Sequence, residues 1–145
     1  MQKNVGKVLE LYLSTNQTPS RVAQNKLALN EGGIIGDKFH SKNILRSVLL
    51  SSTNSYQIAK DNEISIDSGA LGENILLDCD LSHLQAGEKI QIGEVVLEIT
   101  QECTVCKGLT QIHNKLPKLL KKDRGIFSKV VKDGNIKISD IVNIL

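Results

Sequence analysis

The sequence predicts a mainly β protein of the barrel or sandwich type, with roughly eight short strands and one or two helices. Three observations carry that expectation. Lys89-Ile90-Gln91-Ile92 and the segment from Glu94 to Gln101 alternate between polar and apolar residues, with Gly93 between them as a tight turn. The apolar residues are mostly Ile, Leu and Val, and β-branched side chains favour strands. Turn residues recur at short intervals, and few strands precede a helix long enough for a parallel crossover, so a purely parallel sheet does not fit.

Taken in order, Val5 to Leu13 reads as the opening strand and Thr15 to Ser20 as a polar turn. Val22 to Leu29 reads as one further strand, followed by the Gly32-Gly33 and Gly36-Asp37 loop. Val48-Leu49-Leu50 predicts a buried strand, Asn54 to Lys60 one or two helical turns, and Asn74 to Leu77 another strand after Gly69 and Gly72. Ser82-His83-Leu84-Gln85 has capping-box spacing and predicts a brief helical turn. The two alternating strands follow. Ile112, Leu116, Leu119 and Leu120 then have helical spacing, and Pro117 either starts or kinks that helix. Ile126 to Val131 and Ile136 to Ile144 close the chain as strands, with Asp133-Gly134-Asn135 expected to turn a hairpin between them.

A length of 145 residues suits one domain spanning 1–145, with an aliphatic core because only Tyr12, Phe39, Tyr56 and Phe127 are aromatic. The net charge of +2 does not call for nucleic acid, and so few aromatic rings provide no stacking platform for bases. No apolar run approaches a membrane span and no secretory leader is visible. Three cysteines, Cys79, Cys103 and Cys106, are an odd number, which argues against a disulfide framework and for a reducing, cytoplasmic setting.

The chemistry is expected where the second alternating strand runs into Cys103-Thr104-Val105-Cys106. A thiol can serve as a soft metal ligand, a sulfur carrier or a nucleophile, or it can be a small buried apolar group. Structural zinc ordinarily needs four ligands, and only the distant Cys79 and isolated His40, His83 and His113 accompany the pair. A basic run follows, from Lys107 through Lys115, Lys118, Lys121 and Lys122 to Arg124, and it reads as a phosphate-holding cluster or as a solvated face. Arg124 before Gly125 stands out, because a guanidinium fork suits phosphate or carboxylate and the glycine permits close backbone approach. Gly36-Asp37-Lys38-Phe39-His40 and Gly72-Glu73-Asn74 can orient a ligand or simply stabilise loops. Cys79, between Asp78 and Asp80, reads as structural, since neighbouring carboxylates disfavour a thiolate.

These pieces stand in a particular order. Gly36-Asp37-x-x-His40, Arg46-x-Val48-x-Leu50 and Gly72-Glu73-Asn74 come first. Asp80-Leu81-x-x-Leu84-x-x-Gly87, Ile92-Gly93-x-x-x-Leu97-x-Ile99-Thr100 and Cys106 follow. Arg124-Gly125-Ile126-Phe127-x-Lys129-Val130 and Gly134-x-Ile136-x-Ile138-x-Asp140-x-Val142 complete the series. In this the chain resembles the MOSC domain family, named for the C-terminal domain of molybdenum cofactor sulfurase, and most of all its short, free-standing bacterial branch.

The resemblance implies a closed or nearly closed β-barrel of mostly antiparallel strands with a few short helices. It places the functional thiol at Cys106, with Cys103 as an auxiliary or resolving thiol. It implies that Arg124, Arg46 and Lys107 hold anionic groups, and that Asp37, His40, Glu73 and Asn74 shape the cleft wall. The implied cofactor is the molybdenum cofactor (molybdopterin), with Cys106 as ligand to molybdenum, or else sulfur carried on that thiol. The implied partners are a pyridoxal-phosphate cysteine desulfurase or molybdenum-cofactor biosynthesis proteins, and covalent pyridoxal phosphate on this chain is not expected. As an enzyme it would be a reductase of N-hydroxylated compounds or a sulfur transferase. Val105 replaces the proline that many members carry before the cysteine, and the segment after Asp37 is shorter than in the larger reductases. Two other readings are a non-catalytic binding module for a phosphorylated ligand and a small Cys-x-x-Cys zinc protein.

Overall fold

The computed structural model describes residues 3–17, 21–103, 112–120 and 123–145. Its strands in chain order are β1 (Lys3–Leu13), β2 (Val22–Gln24), β3 (Lys26–Asn30), β4 (Gly33–Ile34), β5 (Val48–Ser52) and β6 (Ile75–Leu77). They continue with β7 (Lys89–Ile92), β8 (Val95–Glu102), β9 (Ile126–Lys132), β10 (Gly134–Lys137) and β11 (Ile141–Ile144). Helix α1 (Thr53–Asp61) lies between β5 and β6, and a short helix α2 (Leu116–Leu119) precedes β9.

Seven strands form a ring in the order β11-β7-β8-β9-β5-β6-β1, and the β1–β11 ladder closes it into a barrel. β2 extends the sheet outward from β1. Ring pairings are antiparallel apart from β5 with β6, which run parallel. That pair is joined through α1, as a parallel pair requires a crossover. β10, β3 and β4 form a second, three-stranded antiparallel sheet.

The alternation read from β7 and β8 is an inside–outside pattern. Ile90, Ile92, Val95, Leu97 and Ile99 enter the barrel core with Val48, Leu50, Ile75, Ile126 and Val142. A second apolar cluster, Ala59, Ile64, Leu71, Leu116 and Leu120, packs α1 against α2 and the loop before β6. Ser52 caps α1, its hydroxyl accepting from the Asn54 N–H at 3.2 Å. Pro117 sits in the first turn of α2, where its missing N–H costs nothing, so it starts the helix rather than kinking it.

Three local expectations change. The segment from Val22 to Leu29 is two strands, because the chain leaves the β1 edge after Gln24 and β3 pairs with β10 in the other sheet. Asp133-Gly134-Asn135 does not turn a hairpin: β8 and β5 already occupy both edges of β9, so the chain has to cross to β3. Gly134 makes that crossing possible at φ +154°, since a Cβ there would lie 2.8 Å from Cβ of Glu94. Ser82 does not open a helix; its N–H donates to the Asp80 carboxylate at 2.9 Å, and the segment is a simple turn.

Candidate functional site

Period-2 alternation gives the barrel wall a second face. Val48, Leu50 and Ile126 point into the core, while the paired Leu49 and Phe127 point the other way. Over that outward face lies a cavity of about 290 Å³. Leu49, Phe127 and Cys103 line its barrel side, Phe39, Lys42 and Asn43 the loop before the 3-10 turn at Ile44–Arg46, and Gly72 and Asn74 the approach to β6. Arg21, Arg46 and Arg124 complete the wall. These three are all the arginines in the sequence, whose other basic side chains are lysines.

Each arginine is held differently. Arg46 ends the 3-10 turn, which Asn43 caps by accepting from the Leu45 N–H at 3.2 Å, and the Thr100 hydroxyl donates to the Leu45 carbonyl. The Arg46 guanidinium stacks on Phe127, Cζ 4.6 Å from the ring centroid. Arg124 donates from Nε and Nη2 to the Leu71 carbonyl at 3.3 and 3.1 Å. Its own carbonyl accepts from the Ser51 hydroxyl at 2.9 Å. Arg21 lies 3.9 Å from the Asp37 carboxylate, beyond hydrogen-bond reach, and its buried Nη1 has no hydrogen-bond acceptor among the described residues. Burial pulls the Arg21 pKa down, Asp37 and Glu73 work against that, and Arg124 adds to it.

Cys103 follows β8, is 4% exposed, and donates its N–H to the Gly125 carbonyl at 2.9 Å. The backbone bond ties the end of β8 to the start of β9, so a thiol and Arg124 share one wall. Gly125 is needed there: at φ +157° a Cβ would stand 2.5 Å from the Leu50 carbonyl oxygen. Cys106 and Lys107 lie outside the described residues.

The other sequence candidates support the wall at different removes. Asn74 accepts from the Leu49 N–H at 2.9 Å and donates to the Tyr12 carbonyl at 3.4 Å, clamping β5 to β1 at the cavity wall. Asp37 accepts from the N–H groups of Ser14 (2.6 Å) and Phe39 (3.0 Å), which fixes the loop that carries Phe39 over the opening. Glu73 faces away into a buried pocket, where Oε2 accepts from the Tyr56 hydroxyl at 2.5 Å and Oε1 has no hydrogen-bond partner among the described residues. Burial raises the Glu73 pKa, and the same burial with the Glu73 charge raises that of Tyr56. His40 is not among the lining residues; its Nε2 lies 2.7 Å from Asn30 Oδ1 and its Nδ1 3.0 Å from Ser41 Oγ.

Arg21 and Lys42 belong to the wall and stand in no sequence motif, while Phe39 and Phe127 stand inside motifs that assign them no role. The available signal was the scarcity of arginine: a chain that otherwise uses lysine had three residues suited to bidentate anion contacts. Among the described residues, no three of His, Cys, Asp and Glu come together as a metal-ligand group. No helix among them is long and apolar enough to cross a membrane.

The fold and site define a class: a closed β-barrel that carries an arginine-lined, thiol-bearing cavity on its outer wall. The MOSC domain family matches residues 37–143, and the chain belongs to it. The fold is similar to that of YuaD from Bacillus subtilis, with a TM-score of 0.84, 19% identity, and coverage of 99% of this chain and 97% of that one. It is also similar to YiiM from Geobacillus stearothermophilus, with a TM-score of 0.69, 15% identity, and coverage of 100% and 75%. For YiiM from Escherichia coli the TM-score is 0.71, with 16% identity and coverage of 96% and 69%. No curated protein sequence matches significantly.

Proposed function

We propose that this protein binds the molybdenum cofactor in the arginine-lined cavity, with Cys106 as the thiolate ligand to molybdenum. The observation that carries the reading is the convergence of all three arginines of the chain on one cavity that also holds Cys103. The lining suits such a group. Guanidinium and ammonium donors from Arg21, Arg46, Arg124 and Lys42 match a phosphate, and Phe39 and Phe127 offer apolar faces. A volume of about 290 Å³ lies near the lower end for small-molecule sites. The bound group would supply redox or sulfur chemistry at the metal, and molybdenum accepts soft thiolate ligands.

The chain's own residues would do the rest. The cations bind and orient the anionic end of the ligand. Cys103, buried at the wall, acts as auxiliary thiol. A second use is that Cys106 receives sulfur from a desulfurase persulfide and carries it as a persulfide of its own. Production in a host with an active cofactor pathway, followed by molybdenum and pterin analysis of wild type and Cys106→Ala, tests the ligand role. Cofactor retained in full by the alanine variant rejects it. Mass spectrometry after incubation with a desulfurase tests the sulfur-carrying role, and an unmodified Cys106 counts against it.

A further inference from the structure

We propose that Arg21 and Glu73 are the two halves of a latent ion pair. The Arg21 guanidinium leaves the cavity wall for the Glu73 carboxylate when that carboxyl ionises, and returns when it takes up a proton. The pair does not depend on what the cavity binds. Among the described residues only two buried side-chain nitrogen or oxygen atoms lack a hydrogen-bond partner, and they are Nη1 of Arg21 and Oε1 of Glu73. One is a donor and the other an acceptor, on groups of opposite charge. They are also neighbours: a Cβ on Gly72, the residue before Glu73, would stand 3.7 Å from Nη2 of Arg21. Each buried orphan is costly, and one movement that joins them removes both costs.

Arg21 is loosely held where it stands. Asp37 is 3.9 Å away, and both its oxygens already accept backbone N–H groups. The Phe39 ring centroid lies 5.8 Å from Cζ, near the outer limit for a cation–π contact. Asp37 and Glu73 favour the charge on Arg21, and Arg124 opposes it. Asp67 lines a second cavity of about 460 Å³ with Arg21. Glu73 is anchored through its other oxygen, since Oε2 accepts from the Tyr56 hydroxyl at 2.5 Å and from the Gly69 N–H at 3.3 Å. Tyr56 from α1, Tyr12 from β1 and Arg21 are the titratable groups that feel this carboxyl, and Glu10 acts on Tyr12 in turn. Burial first, then the neighbouring carboxylates, raise both tyrosine pKa values. The hydroxyls therefore keep their protons, and Glu73 is the group that changes charge. A neutral Glu73 has no pull on the guanidinium, which matches the arrangement observed. An ionised Glu73 gains a partner but costs desolvation, and these opposing effects keep the two arrangements close enough in free energy to exchange.

The test is NMR of the full chain, isotope-labelled in arginine nitrogen and glutamate carbon, without added ligand, over the pH range in which it stays folded. The sequence has three arginines, so three sets of guanidinium signals are expected, and Arg21→Lys identifies one of them. The Glu73 carboxyl carbon gives the ionisation midpoint, and Arg46, stacked on Phe127, is the internal reference. The expected result is that exchange of the Arg21 Nη protons with water slows by about tenfold or more relative to Arg46 at the same pH, with the midpoint of the Glu73 carboxyl. In Glu73→Gln the low-pH ratio should persist throughout. In Arg21→Lys, which keeps a charge without the fork, the Glu73 midpoint should rise. Arg21 exchange that follows Arg46 across the Glu73 titration overturns the pair, as does a Glu73 carboxyl that keeps one charge over the whole folded range. Protection of Arg21 that appears equally in Glu73→Gln belongs to another acceptor and also overturns it. Should the glutamine variant fail to fold, the Arg21→Lys midpoint decides, and an unchanged value rejects the pair.

Discussion

The Arg46 guanidinium lies over the Phe127 ring, with 4.6 Å between Cζ and the ring centroid, and both side chains line the outer cavity. The ring comes from β9 and the cation from the turn before β5, so the stacking fixes the position of a charge that the backbone alone leaves loose. Phe127→Leu and Arg46→Gln are each expected to weaken phenyl phosphate binding several-fold. Because they remove one interaction, the double variant should lose less than the product of the single losses, with a coupling of about 0.5–2 kcal/mol. Titration of the four proteins checks this, and independent losses would show that the ring does not position the cation.

Gly125→Ala is expected to destabilise the fold by more than about 1 kcal/mol, because its Cβ would press on the Leu50 carbonyl and its φ suits glycine. The damage should extend to the site, since the Gly125 carbonyl holds the Cys103 N–H. Thermal or urea denaturation measures the first effect. The second predicts weaker anion binding even at temperatures where the variant is fully folded.

Glu73 sets a pH dependence. Its carboxyl is buried and its pKa is raised above 4.5, so the folded chain holds that proton more tightly than the unfolded chain. Stability from this group is fully present below the ordinary carboxylate value and declines as pH rises through the raised folded value. Glu73→Gln keeps an acceptor for the Tyr56 hydroxyl and removes the titration. Urea denaturation at a series of pH values should show a flatter profile for the variant above the ordinary carboxylate range. Parallel profiles would mean that Glu73 ionises in the fold as it does in the unfolded chain.

Cys79 is expected to be a slow thiol. Burial first, then the charges of Asp78 and Asp80, push its pKa up to about 11. At pH 8 iodoacetamide should modify Cys79 much more slowly in the folded chain than in urea, as read by peptide mass spectrometry. Equal rates would contradict the half-buried, acidic setting.

Much of the barrel was legible because its signals are local. Alternation in β7 and β8 around Gly93, and the short apolar run of β5, fix strands without knowledge of their partners. Pairing was the part that could not be read. Asp133-Gly134 looks like a hairpin until both neighbours of β9 are known, and the break after Gln24 matters only because two sheets claim its two sides. At the site, Arg46 and Arg124 were visible beside their motifs, and they meet at one cavity. Arg21 stands alone in sequence and reaches that cavity only through the fold. Glu73 and Asn74 are adjacent yet serve different places, one in a buried carboxyl pocket and one in the cavity wall, which motif matching does not separate.

The central claim is that the arginine-lined cavity holds the molybdenum cofactor. Its most direct test is the molybdenum and pterin content of the full chain purified from a host with an active cofactor pathway, with Cys106→Ala prepared in parallel. The account predicts stoichiometric molybdenum and pterin in the wild type and loss of the metal in the alanine variant. A wild type free of both, from a host that loads other molybdenum proteins, would contradict it.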